Sequence, residues 1–197
     1  MRLGFLASHS GSGMRAILTA IAEGRLDARG QIAISNNAEA PALASARAAG
    51  LATCHISART SGSVEAADQA IATALDAAGV ELVVLSGYMR KIGPALLSRF
   101  RNRILNIHPS LLPKHGGEGM YGARVHAAVV AGAEAESGAT IHLVDEIYDH
   151  GLILAQSRVS VLPTDTAEDV EAKVRAVEPD LYVETLRRII AGEIALP

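Results

Sequence analysis

The chain has no tryptophan, a single cysteine, and only four tyrosines and two phenylalanines in 197 residues. One cysteine, Cys54, excludes an intrachain disulfide and fits a reducing compartment. Cys54 itself reads as a small apolar residue beside a strand rather than a nucleophile or redox centre. So few aromatic rings leave little to stack on unpaired bases, and a formal net charge of -3 offers no drive toward a polyanion, so nucleic acid is not expected as a partner. No apolar run approaches bilayer-spanning length. MRLGFLAS gives way at once to polar SHSGSG, too short for the core of a signal peptide. No membrane partner is expected, and the expected location is cytoplasmic.

What is present is a globular composition, 49% hydrophobic and 20% charged, at a length suited to one domain with a substantial core. Short apolar runs at 3–7, 31–35, 52–56, 81–86 and 104–107 read as strands. They alternate with helical stretches near 12–23, 40–49, 64–78 and 94–99, the last opened by Pro94. This alternation predicts βαβ units and an α/β fold: a Rossmann-like, mostly parallel sheet flanked by helices. The second half differs. A Gly-rich loop (115–122) and a helix near 123–132 precede two β-prone segments, 139–144 and 153–161. The short acidic loop joining them predicts an antiparallel hairpin. A last helix is expected after Thr166, with Asp169 completing a capping box and Val170, Val174 and Val177 on its apolar face. Pro179 is expected to kink or restart it before Leu181. The whole of 1–197 reads as a single domain.

The run Ile104 to Pro113 (ILNIHPSLLP) carries the clearest chemistry. Strand alternation puts Asn106 and His108 on one side, and Pro109 ends the ladder just past them. A carboxamide suits a developing oxyanion, and an imidazole moves protons near neutral pH. The pair equally serves to hold a turn by hydrogen bonding, but ligands of open α/β sheets bind beyond the carboxyl ends of strands, where this pair falls. Ser8 to Gly13 (SHSGSG) follows the first strand and opens the first helix, where backbone N–H groups and the helix dipole favour an anion. It lacks the GxGxxG spacing of a dinucleotide fingerprint, and a simple tight turn fits the same residues. Asp149 is either a solvated turn carboxylate or, if brought against His108, a partner that raises its pKa above about 6.5. His142 reads as one face of a strand. The histidines show no metal-binding spacing, and no metal is expected.

SHSGSGM (8–14), LSGYMRKI (85–92), ILNIHPSLLP (104–113), SGATIHLVDEIYDHGLILAQ (137–156) and VEPDLY (177–182) together resemble the glycinamide ribonucleotide formyltransferase family over essentially the whole chain. The resemblance implies formyl transfer from 10-formyltetrahydrofolate, as co-substrate, to the amine of glycinamide ribonucleotide in de novo purine biosynthesis, by a monomer or homodimer. It implies Asn106, His108 and Asp149 as the catalytic trio. Gly11, Ser12 and Gly13 match the loop holding the ribonucleotide phosphate, and Arg175 and Glu178 a further ribonucleotide contact. Met89, Arg90, Lys91 and Ile92 match the folate-pocket lining, with Asn106 and the loop Asp145, Glu146, Ile147, Tyr148 and Asp149 closing over the pteridine. On this basis 1–100 forms the phosphate-binding half and 101–197 the catalytic and folate-binding half. The chain departs from the family at Gly13, usually asparagine, at His115-Gly116-Gly117, where Pro-Gly is common, and at Pro179, often histidine. Two alternatives remain: a 10-formyltetrahydrofolate hydrolase using the same trio on water, and a non-catalytic nucleotide-binding module.

Overall fold

Along the first strand, β1 (Arg2–Ala7), Leu3, Phe5 and Ala7 turn to one face of the sheet and Leu6 to the other, none more than 2% exposed. A strand apolar on both sides needs cover on both sides, and this dictates the layering. In the computed structural model, which describes residues 1–197, a seven-stranded sheet runs in the order β3-β2-β1-β4-β5-β6-β7. The other strands are β2 (Arg29–Ser35), β3 (Ala52–His55), β4 (Leu82–Leu85), β5 (Ile104–His108), β6 (Glu136–Leu143) and β7 (Ile153–Ser160). The first five are mutually parallel; β6 is antiparallel to β5, and β7 to β6. This is the expected α/β architecture with its hairpin in the C-terminal half.

The helices are α1 (Ser12–Ala22), α2 (Pro41–Ala48), α3 (Ala58–Ser61), α4 (Val64–Ala77), α5 (Pro94–Arg99), α6 (Ala123–Ala131) and α7 (Ala167–Ile190). One core cluster joins α1 and α7 to Leu3, Phe5, Leu82, Val84 and Leu105. A second joins α4 and α5 to Leu6, Ile34, Val83, Leu85 and Ile104. The short α3 was not legible in the sequence. It exists because Ser57 and Thr60 cap each other reciprocally.

α7 begins as expected, with Thr166 and Asp169 forming a capping box. The expected restart at Pro179 is corrected: the helix is one element to Ile190. A proline inside a helix costs about 3 kcal/mol. Val170 and Val174 before it and Tyr182, Leu186 and Ile189 after it are all buried, and each such side chain contributes ~1.5–3 kcal/mol. The buried stripe on both sides outweighs the one lost hydrogen bond.

α5 is positioned from outside itself. Asp68, buried on α4, accepts hydrogen bonds from the backbone N–H groups of Gly93, Ala95 and Leu96 at 3.0, 2.8 and 3.3 Å. It replaces the cap that Gly93 lacks, and a Cβ on Gly93 would strike its carboxyl at 2.4 Å. Asp68→Ala is expected to destabilise the fold by about 2 kcal/mol, since it leaves buried donors unpaired. An unchanged midpoint in urea denaturation would exclude this capping role.

Candidate active site

The carboxyl end of β5 delivers Asn106 and His108, and the neighbouring strand answers them. The antiparallel register sets Asn106 opposite His142 and His108 opposite Thr140. His142 Nδ1–H donates to the Leu143 carbonyl at 2.8 Å. In the neutral ring, Nε2 then accepts from the Asn106 carboxamide N–H at 3.1 Å. This fixes the orientation of the Asn106 amide and leaves its second N–H for a ligand. The strand-face reading of His142 therefore missed its place beside Asn106. The sequence indicated a β6–β7 hairpin but not that β6 also pairs with β5.

Asp149 comes from the loop between β6 and β7 with φ of 56°, a conformation aspartate tolerates better than most residues. Its Oδ2 lies 3.3 Å from His108 Nδ1 and its Oδ1 3.5 Å from His142 Nε2. Gly117 N–H donates to Oδ2 at 3.0 Å, and His108 Nε2–H donates to the His115 carbonyl at 2.8 Å. The segment 115–117 thus holds both members of the His108–Asp149 pair through its backbone. A Cβ at Gly116 would lie 2.4 Å from Leu112 and 3.3 Å from the Asp149 Cβ, so this close approach requires glycine.

Both nitrogens of His108 face oxygen acceptors, an arrangement that suits imidazolium. Burial nevertheless dominates. The ring is 3% exposed, and loss of solvation pushes its pKa below the usual 6.5, against the opposing pull of Asp149 and the His115 carbonyl. The expectation that Asp149 carries the His108 pKa above about 6.5 is corrected accordingly: the carboxylate does raise it, but burial lowers it more. Burial pushes the Asp149 carboxyl up, but His142, whose Nε2 faces it and donates when that ring is protonated, together with His108 and the Gly117 N–H overcomes this and holds it below the ordinary carboxylate value. Burial likewise lowers His126 on α6. As pH falls through about 6.5 the unfolded chain protonates these histidines before the folded chain does, so stability falls with pH. The Asp149 contribution is lost only at lower pH, through its depressed value. The urea midpoint of the wild type is expected to drop between about pH 7.5 and about pH 5.5, and His108→Ala to show a shallower drop; equal slopes would contradict it.

The glycine loop meets the same rim. Gly11 is the N-cap of α1 in a left-handed conformation with no side-chain cap. The Ser12 and Gly13 N–H groups have no partner, while Met14 N–H donates to Ser86 Oγ at 2.9 Å. Met89 N–H donates to Ser8 Oγ at 2.8 Å, joining this turn to the segment after β4. Glu178 on α7 is raised by burial and by Glu171 against the pull of Arg175. Arg175 pairs with Glu171 at 2.6 Å and its side chain is 72% exposed; no hydrogen bond or ion pair joins it to the glycine loop.

A cavity beside Asn106 is lined by Arg90, Lys91, Ile92, His142 and the whole loop Asp145 to Asp149, with Leu85, Tyr88 and Val144 added by the fold. Met89 is not in this lining; it is about half exposed, at 46%. Lys91 Nζ sits 5.4 Å from the centre of the Tyr148 ring. Burial pushes the Tyr88 hydroxyl up to about 12, keeping it a neutral donor. A larger but more open hollow at the opposite end of the sheet, lined by Met1, Leu82, Arg103 and Leu196 among others, lies away from all of these groups.

A family model described as formyl transferase matches residues 1–186. The chain belongs to the formyl transferase family. A phosphoribosylglycinamide formyltransferase of Haemophilus influenzae is 34% identical over 195 residues, covering 99% of this chain and 90% of that protein. The solved structure of glycinamide ribonucleotide transformylase 1 from Symbiobacterium toebii superposes with a TM-score of 0.92 at 38% identity, covering 100% of this chain and 91% of that one. A chloroplastic phosphoribosylglycinamide formyltransferase of Vigna unguiculata is 50% identical over 115 residues, 58% of this chain and 37% of that protein; for its Arabidopsis thaliana counterpart the latter share is 40%. Within the family, the chain groups with the phosphoribosylglycinamide formyltransferases. No helix is long and apolar enough to cross a membrane.

Proposed function

We propose that this chain transfers the formyl group of 10-formyltetrahydrofolate to the amine of glycinamide ribonucleotide, a step of de novo purine biosynthesis in the cytoplasm, as a monomer or homodimer. The observation that carries the proposal is the meeting of His108 and Asp149 at 3.3 Å beside Asn106 on the rim of a cavity. The N–H groups of Ser12 and Gly13, with Gly11 as N-cap, take the phosphate, and Glu178 takes the glycinamide or ribose end; Arg175 assists only if released from Glu171. Residues 89–92 and 145–149 hold the folate. The phosphate turn then lies in the half 1–100 and the catalytic trio with the 145–149 folate loop in the half 101–197, while residues 89–92 reach the folate from the first half and Glu178 the ribonucleotide from the second.

The neutral amine attacks the formyl carbon directly, and the carbonyl electron pair moves to oxygen. No Ser or Cys side chain is hydrogen-bonded to His108 to serve as a nucleophile in between. Asn106 donates to the oxyanion. His108 Nε2–H exchanges the neutral His115 carbonyl for this charged, stronger acceptor. Asp149 stabilises the imidazolium and, through a water, passes a proton from the attacking amine to the departing folate nitrogen. Collapse of the oxyanion re-forms the carbonyl and releases tetrahydrofolate. Holding both substrates together supplies a large part of the acceleration.

The deciding measurement is absorbance of 10-formyltetrahydrofolate incubated with the chain, with and without glycinamide ribonucleotide. Folate turnover only with ribonucleotide present is expected. Formate release without it would identify a hydrolase, and nucleotide binding with no folate turnover a non-catalytic module.

A further inference from the structure

Where β4 and β5 end, their ladder stops one bond early. It runs through Val83↔Ile104 and Val84↔Leu105. In a parallel ladder the next bond would join the Leu85 carbonyl to the Ile107 N–H. The Tyr182 hydroxyl occupies that place: it donates to the Leu85 carbonyl at 2.6 Å, with the Ile107 N–H facing its oxygen. Tyr182 is fully buried. Its ring presses on the glycine loop so closely that a Cβ at Gly13 would come within 2.9 Å of it. One side chain therefore touches three parts of the site: the phosphate turn at Gly13, the cavity wall at Leu85, and the backbone between Asn106 and His108.

We propose that Tyr182 is a positioning residue that wedges the ends of β4 and β5 apart and sets Asn106 and His108 relative to the glycine loop. The inference rests on the formyl-transfer reading for its kinetic consequence, though not for its geometry. The hydroxyl and the ring divide the work. The hydroxyl fixes the catalytic strand through Leu85 and Ile107, and the ring backs the turn that cradles the phosphate. The same ring accounts for Gly13, because a longer side chain there requires Tyr182 to move.

The two parts separate in two variants. Tyr182→Phe keeps the ring and removes the bridge, so kcat is expected to fall about 10²-fold, the effect of an ångström-scale displacement, with KM for the ribonucleotide within about twofold. Tyr182→Leu removes both, so KM for the ribonucleotide rises as well. Amide hydrogen exchange at Ile107 in Tyr182→Phe is expected to accelerate at least about tenfold while amides in the centre of β1 keep wild-type protection. Wild-type kcat in Tyr182→Phe overturns the positioning role, and unchanged exchange at Ile107 overturns the wedge itself. A general loss of stability that lowers kcat and raises KM together in Tyr182→Phe also overturns it, by reducing Tyr182 to a packing residue. A wild-type chain without formyl transfer would defeat the functional reading instead, and the exchange measurement would still decide the wedge.

Discussion

His108→Ala is expected to lower kcat for formyl transfer by about 10³-fold while folate affinity and the fold are largely retained. Removing one preorganised donor to an oxyanion costs about 10²–10³-fold, and losing a proton-transfer group adds to this. The ring sits 3% exposed between Asp149 and the His115 carbonyl, so alanine leaves a small polar void that water can fill. His108 is not among the residues that line the cavity, as Arg90 to Ile92 are. Steady-state kinetics with a parallel fluorescence titration of folate separates the two effects, and near-wild-type turnover would remove His108 from the chemistry.

Asp149→Asn is expected to cost about 10²–10⁴-fold in kcat. The carboxylate accepts from Gly117 N–H and faces both His108 Nδ1 and His142 Nε2. Asparagine keeps one acceptor and removes the charge. The sign of the pH effect follows. Asp149 works against burial to raise the His108 pKa, so neutralising residue 149 lowers that pKa further. The residual activity then loses its imidazolium at lower pH, and the alkaline limb of the kcat profile shifts toward acid. A limb that stays in place would show that His108 does not act as the protonated partner.

The two proposed substrate regions approach the rim from opposite faces of the sheet. The cavity lining includes Leu85 and Ile92, which belong to the core shared with α4 and α5. The glycine loop packs with α1 and α7 on the other side. The proposed chemistry therefore falls at the strand ends, where the layers part and backbone groups are no longer used by the ladder. Asp68, which does not line the cavity, matters because it fixes the N-terminus of α5 just after residues 90–92.

How legible this was in the sequence differed by element. Leu82 to Leu85 and Ile104 to His108 were readable because short apolar runs between turns are a local signal, as was the Thr166–Asp169 box that starts α7. The continuity of α7 through Pro179 was not readable, because it depends on what Val174 and Tyr182 bury against. Asn106 and His108 were identified by strand alternation. His142 was passed over, because its role comes from a register with β5 that no local pattern encodes.

By itself the sequence determined the alternation of strands and helices, the glycine turn, and the delivery of an amide and an imidazole to a strand end, since these depend on neighbours a few residues apart. Only the tertiary structure decided that Asp149 closes on His108 and His142 on Asn106, that burial outweighs the carboxylate in setting the proton affinity of His108, and that Tyr182 reaches the ends of β4 and β5. Each of these depends on contacts between distant segments and on the solvent they exclude, quantities that exist only once the chain has packed.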